Sequence, residues 1–266
     1  MYDSFGRKID YLRISVTDKC NLRCVYCMPP EGVPPLRHDE ILSFEEIAAA
    51  ARAAANLGIT KIRLTGGEPL VRRGIANLVR MLARIPGVET LAMTTNAALL
   101  SPALARELKD AGLQRINISL DSLDPERYAA LTRCGKLDEA ISGIQAALSL
   151  SIPVKINMVI FPETTEEEIE RMRAWCAEMG VTMQRIARYA LENAKDDAHS
   201  CERPPPCSVC NRLRLTADGM LRPCLRAQIE VPFKPESAEE SIRAAIAKKP
   251  EMGGTCSDRT ITQIGG

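Results

Sequence analysis

Between residues 10 and 187, short apolar runs alternate with longer amphipathic stretches. The runs 10–16 (DYLRISV), 61–65 (KIRLT), 90–94 (TLAMT), 115–120 (RINISL), 154–160 (VKINMVI) and 182–187 (TMQRIA) predict strands. The stretches 43–57, 73–84, 101–111, 125–131, 138–150 and 165–179 predict helices. Helix punctuation agrees. Ser43 and Ser101 stand where N-caps belong, Glu46 completes a capping box, and Pro102 occupies a first-turn position. Gly58, Gly112 and Gly180 follow helix ends, where a left-handed cap is needed. Six strand-then-helix units imply parallel strands joined by right-handed crossovers. Six units fall short of a full eight-stranded barrel. They predict an α/β fold of the partial (β/α)6 TIM type, with an open doubly wound sheet as the alternative. In both, function collects at the C-terminal ends of the strands.

The alternation stops after about residue 188. The polar run 192–206 (ENAKDDAHSCERPPP) reads as a loop or linker. Beyond it, RLRLT and MLRPCL predict a hairpin turning at Ala217-Asp218-Gly219, and 237–248 predicts a helix. The division expected is a core barrel over 1–190 and a small C-terminal extension over 191–266.

Composition narrows the class. The chain has 266 residues with 35 basic and 34 acidic side chains, a balance that excludes a generally polycationic nucleic-acid binder. No window approaches the ~18 consecutive apolar residues of a membrane span, and the N-terminal stretch lacks the apolar core of a secretory leader. The unusual count is ten cysteines. In a chain read as cytoplasmic, so many thiols point to metal rather than to disulfides.

Six of the ten fall in two groups of three. Cys20, Cys24 and Cys27 form C-x3-C-x2-C, and Cys207, Cys210 and Cys224 form C-x2-C-x13-C. Structural zinc normally closes with four ligands. Three thiolates on a four-iron cluster leave one iron open to a ligand that is not protein. Zinc remains the alternative at each group, completed by His38 or a distant Cys at the first and by Cys201 at the second. Cys134, Cys176, Cys201 and Cys256 read as spare thiols, Cys176 beside Trp175 as a small core residue.

The first group follows strand one, and the next strand ends in LTGGEP, residues 64–69. Paired glycines at a strand end let a ligand approach the backbone. The pairing of C-x3-C-x2-C with GGEP one unit later resembles the radical S-adenosylmethionine superfamily. That resemblance implies a [4Fe–4S] cluster on Cys20, Cys24 and Cys27, with S-adenosylmethionine on the open iron, cleaved reductively to a 5′-deoxyadenosyl radical. It implies Tyr26 near the adenine, Gly66, Gly67 and Glu68 at the methionine end, and Thr94 and Ser119 as further cofactor contacts. For Asn96 and Asp121 a fold-signature role and simple strand-end capping weigh equally.

The segments DSFGRKIDYLRISVTDKCNLRCVYCMP, KIRLTGGEPLVRRG, RINISLDSLDPERY and CNRLRLTADGMLRPCL, with the final Gly265-Gly266, resemble the GTP 3′,8-cyclases of molybdenum-cofactor biosynthesis. This narrower resemblance implies a second [4Fe–4S] cluster on Cys207, Cys210 and Cys224, whose open iron takes the guanine of GTP. It implies triphosphate contacts from Arg13, Lys61, Arg63, Lys155, Arg212 and Arg214, in keeping with the affinity of Arg forks and Lys point charges for phosphate. The Gly-Gly tail is expected to reach the site. The reaction implied is conversion of GTP to 3′,8-cyclo-7,8-dihydro-GTP, the first step towards molybdopterin. The partners implied are an external electron donor and a downstream pyranopterin-forming enzyme, with homodimerisation left open.

Three departures qualify the likeness. The family carries several tens of residues more between strand six and the second triplet. Gln184 stands where the family has an arginine, with Arg185 and Arg188 nearby. TTNA replaces TTNG at 94–97. The rival readings are another radical S-adenosylmethionine enzyme with an auxiliary cluster, such as a peptide-maturing one, and a non-catalytic nucleotide-binding paralogue.

Overall fold

The six predicted strands form, in a computed structural model that describes residues 1–188, 191, 200–256 and 258–265. They are β1 (Tyr11–Ser15), β2 (Lys61–Thr65), β3 (Thr90–Thr95), β4 (Arg115–Ser119), β5 (Val154–Ile160) and β6 (Thr182–Ala187). Each pairs in parallel with the next. The intervening helices are α1 (Phe44–Asn56), α2 (Ile75–Ala83), α3 (Pro102–Asp110), α4 (Pro125–Thr132), α5 (Leu137–Ser149) and α6 (Glu166–Glu178). Ser43 Oγ accepts from the Glu46 N–H at 3.1 Å while the Ser43 N–H donates back to the Glu46 carboxylate at 2.7 Å. Thr165 and Glu168 repeat this box on α6, and Ser101 caps α3. Each such cap stabilises its helix by about 1 kcal/mol.

A seventh parallel strand, β7 (Arg212–Leu215), pairs with β1 on the side away from β2. It turns through Ala217, Asp218 and Gly219 into antiparallel β8 (Met220–Arg222), which pairs with β9 (Val231–Pro232). The sheet order is β6-β5-β4-β3-β2-β1-β7-β8-β9. The predicted hairpin is present, and its first strand also extends the main sheet. The sheet is that of a partial TIM-type barrel. Helix α7 (Ala238–Ala247) lies against α1, and its Ile242, Ala245 and Ile246 join the main hydrophobic core. The short α8 (Ile261–Ile264) closes the described chain. Residues 192–199 of the polar run and the terminal Gly266 lie outside the described residues. Among the described residues no helix is long and apolar enough to cross a membrane.

The alternation within strands decides where the site lies. Leu12 and Ile14, Ile62 and Leu64, Leu91 and Met93, Ile116 and Ile118, and Leu213 and Leu215 point towards the helices and are essentially buried. Their neighbours point the other way: Tyr11 and Arg13, Lys61 and Arg63, Thr94, Asn117, Arg212 and Arg214 all line one cavity. Parallel sheets covered on both faces usually read as continuous apolar runs. Here one face is apolar and the other carries charge, as a sheet curved around a polar ligand requires.

Candidate active site

The cavity inside the curved sheet has a volume of about 680 Å³. The loop after β1 carries Cys20, Cys24 and Cys27 to its C-terminal rim, where all three line it with Tyr26. Loop 132–135 clamps this loop from outside: the Arg23 and Val25 N–H groups donate to Thr132 O and Leu131 O, and Arg133 donates to Arg23 O and Met28 O. Gly66 and Gly67 end β2 at the same rim. A Cβ on Gly66 would stand 2.5 Å from Thr17 O, and one on Gly67 2.4 Å from Lys19 O. The close approach that these glycines permit is therefore to the chain's own backbone just before Cys20. Hydrogen bonds from Gly67 N to Thr17 O (2.8 Å) and from Glu68 N to Lys19 O (2.9 Å) lock the two loops together.

Two buried carboxyls brace the rim. Glu68 accepts from Thr95 Oγ1 (2.7 Å), Asn96 N (2.8 Å) and Leu70 N (3.0 Å), and burial pushes its carboxyl up to about 7. Asp121 accepts from Tyr26 OH and Val159 N, both at 2.8 Å, and burial pushes it up to about 6. Asn96 donates to Asn21 Oδ1, beside Cys20. Both residues weighed as capping groups thus cap the strand ends and tie down the first cysteine loop. The three thiols themselves are pushed up, Cys20 to about 11, by burial and by nearby negative charge including Glu68, Asp121 and one another. Such a set ionises only against added positive charge, which a bound iron–sulfur cluster brings. The residues present fit that group.

Below the rim the register sets two polar rows across β2, β1 and β7. Lys61, Tyr11 and Arg212 stand side by side, and one step further along stand Arg63, Arg13 and Arg214. Arg63 is held by neutral groups, Nε to the Tyr11 hydroxyl and Nη1 to Thr94 Oγ1 at 3.2 Å. Burial works to raise the Tyr11 phenol, yet the charges of Arg13, Arg63 and Arg212 hold it below its usual range. Burial and the adjacent Arg13 and Arg203 bring Arg212 down to about 10, and its buried Nε has no hydrogen-bond partner. The rows form a cationic surface suited to a polyanion. Arg13 and Arg214 both donate to the carbonyl of Gly265, at 3.4 and 3.1 Å, with Thr65 Oγ1 at 3.2 Å. The expected reach of the tail into the cavity is therefore present at Gly265.

The remaining expected residues divide. Glu68, Thr94 and Ser119 line the cavity. Lys61 does too, although its ammonium is paired with Asp10 at 2.9 Å. Lys155 sits between Asn117 and Thr182 in register and is not among the lining residues. Gln184 and Arg188 face the cavity, whereas Arg185 turns to Glu202 at 3.0 Å. Arg203, Asn117 and Asn157 also line it and were not anticipated. The asparagines carried a signal, polar residues at alternate positions of β4 and β5. Arg203 carried none, being one charge in a polar run.

The second triplet lies outside the cavity lining, at the opposite end of β1. Cys210 precedes β7, whose Arg212 is level with Tyr11, whereas Cys20 follows the far end of β1. A five-residue strand at ~3.3 Å per residue separates the two levels by about 13 Å. Gly253 N donates to Cys207 Sγ at 3.3 Å, and Arg226 N to Cys224 Sγ at 3.4 Å. Burial works to raise Cys210, but the Lys249 charge and the Arg212 N–H outweigh it and lower the thiol. Among the described residues no three His, Cys, Asp or Glu side chains converge closely enough for a single metal ion. Cys201 has Arg185 and Glu202 as its charged neighbours, and His38 is exposed. Cys176 is buried in the core as expected.

Comparison with known proteins places this geometry. The Radical SAM superfamily model matches residues 14–176. The GTP 3′,8-cyclase of Petrotoga mobilis is 41% identical, over 93% of this chain and 92% of its own length. That of Moorella thermoacetica is 43% identical with both chains fully covered. The enzyme from Pelotomaculum thermopropionicum is 41% identical over an alignment of 332 positions spanning both chains, so at least 66 of those positions have no residue here. Among solved structures, Streptococcus suis SuiB bound to S-adenosylmethionine superposes with a TM-score of 0.71 at 16% identity, covering 92% of this chain and 64% of that one. Native anSMEcpe with bound AdoMet gives 0.68 at 11% identity, covering 91% and 81%.

Proposed function

Because the chain belongs to the GTP 3′,8-cyclase family of the radical S-adenosylmethionine superfamily, we infer how its residues divide that family's work. The protein is a GTP 3′,8-cyclase, converting GTP to 3′,8-cyclo-7,8-dihydro-GTP in molybdenum-cofactor biosynthesis. A [4Fe–4S] cluster with S-adenosylmethionine supplies electron delivery and hydrogen abstraction when bound.

We assign Cys20, Cys24 and Cys27 to that cluster, with Tyr26, Gly66, Gly67, Glu68, Thr94 and Ser119 around S-adenosylmethionine. The observation that carries the assignment is one cavity with this triplet on its rim and the Arg63, Arg13 and Arg214 row beneath. Arg13, Lys61, Arg63, Arg212 and Arg214 neutralise the triphosphate, Lys155 adds charge from β5, and Arg188 and Arg203 extend the surface. The binding energy they supply orients the ribose towards the rim. Cys207, Cys210 and Cys224 hold a second [4Fe–4S] cluster facing the guanine. The N–H donors on Cys207 and Cys224 and the Lys249 charge beside Cys210 support this reading. The 191–266 region serves as the second-cluster extension of a 1–190 core. An external one-electron donor, a downstream pyranopterin-forming partner and a cytoplasmic setting complete the reading, with a homodimer as the assembly to test.

Anaerobic reconstitution followed by S-adenosylmethionine, reductant and GTP tests it. The expected result is about eight irons per chain and a cyclised GTP product. Formation of 5′-deoxyadenosine without a GTP-derived product would sink the residue assignments for GTP and leave those for S-adenosylmethionine standing. A Cys207→Ala, Cys210→Ala, Cys224→Ala variant should hold about four irons and lose cyclisation. Retained cyclisation would remove the second-cluster role.

A further inference from the structure

The segment 249–253 lies against the second triplet. Gly253 N donates to Cys207 Sγ, and a Cβ on Gly253 would meet Cys224 Sγ at 3.3 Å. Lys249 is 4% exposed, and its ammonium donates to two backbone carbonyls. One is Arg212 O at 2.8 Å, just after Cys210, and the other is Pro223 O at 2.5 Å, just before Cys224. The ammonium charge also bears on the Cys210 thiol. Arg7 fixes the same segment from the N-terminus. It is paired with Asp3 and donates to Cys207 O (2.8 Å), Pro250 O (2.7 Å) and Glu251 O (2.8 Å). The first triplet has the opposite setting, with the carboxyls Glu68 and Asp121 among its charged neighbours.

We propose that Lys249 is a positioning residue of the second cluster, its buried ammonium holding the Arg212 and Pro223 backbones beside Cys210 and Cys224 and raising the cluster's reduction potential. The inference rests on reading Cys207, Cys210 and Cys224 as cluster ligands. Its physical basis is that adding an electron makes the cluster more negative, and a fixed cation in a low-dielectric site stabilises that state.

The test is a redox titration followed by electron paramagnetic resonance. It uses the anaerobically reconstituted full chain with Cys20, Cys24 and Cys27 replaced by Ala, so that only the second cluster reports. Lys249→Met should lower the potential by about 59 mV or more, a tenfold shift in a one-electron equilibrium. Lys249→Arg should stay close to the parent. An unshifted potential in Lys249→Met with the cluster loaded overturns the inference alone. If Lys249→Met fails to load iron, Lys249→Arg decides: retention of the cluster near the parent potential supports a charge role, and its loss assigns Lys249 to packing and overturns the proposal. Should the parent itself hold no iron at this triplet, the second-cluster reading and this inference fall together.

Discussion

Gly67→Ala isolates how the rim is built. Gly67 does not adopt a positive φ, so a methyl group there acts through sterics alone. Its Cβ would stand 2.4 Å from Lys19 O, 2.6 Å from Lys19 C and 2.8 Å from Asp18 O. All three atoms are backbone, so no side chain can swing aside. Reaching ordinary contact requires loop 17–20 to retreat by about 0.8–1 Å, with overpacking worth ~1–3 kcal/mol. The retreat also stretches the hydrogen bonds Gly67 N to Thr17 O and Glu68 N to Lys19 O, each worth about 1 kcal/mol. The expected loss is about 3–5 kcal/mol, or ~5–9 °C in melting temperature for a chain of this size. Because the loop ends at Cys20, a displacement near 1 Å should cut turnover by about a hundredfold. Gly180→Ala is the control: nothing lies within 4 Å of its Cβ, but its φ is +67°. It should cost ~1–2 kcal/mol of stability and leave iron content unchanged. Differential scanning calorimetry, iron analysis and 5′-deoxyadenosine formation give the readouts. Wild-type melting and wild-type 5′-deoxyadenosine formation in Gly67→Ala would refute the steric argument.

Three further outcomes follow from the same geometry. Glu68 has its folded carboxyl near 7 against an ordinary 4.5, so in the metal-free chain its contribution is full below about pH 4.5 and is lost as pH rises through 7. Urea unfolding at pH 5 and pH 8 should differ by about 2.5 kcal/mol from this group, and Glu68→Gln should flatten that slope. Arg222 is fully buried and pairs with Glu230 and Asp258. Arg222→Ala should cost about 3 kcal/mol and free the segment after Cys256, seen as faster amide exchange there and slow exchange retained in β1–β5. Gly143→Ala would place a methyl 2.1 Å from Ala97 O, so α5 would have to lift off the β3 turn. A loss of about 3 kcal/mol or more is expected in chemical denaturation.

The TTNA departure illustrates how local sequence and tertiary context meet. Ala97 adopts φ +63°, a conformation that glycine takes at no steric cost. Its side chain is fully buried, so the strain of about 1 kcal/mol is offset by a buried methyl worth ~0.8 kcal/mol. The identity of residue 97 alone does not reveal that balance. Missing length is similar: alignment to the Pelotomaculum enzyme leaves at least 66 positions without a residue here, and only the fold shows Arg203 beside β6 and facing the cavity.

By itself the sequence determined the elements, their caps, the parallel order of six strands and the two cysteine triplets. Those properties depend on neighbours a few residues apart, through hydrogen-bond period, capping geometry and side-chain alternation. Tertiary structure decided what depends on distant segments meeting. Only the pairing of β7 with β1 aligns Arg212 and Arg214 with Tyr11 and Arg13. The contact of Gly67 with the backbone before Cys20, the pairing of Lys61 with Asp10, the absence of Lys155 from the cavity lining and the placement of Lys249 at Cys210 are of the same kind. A charge two residues from another in a strand can be read as sharing its face. Whether that face meets a substrate, a carboxylate or a thiol depends on which strand the folded sheet brings alongside.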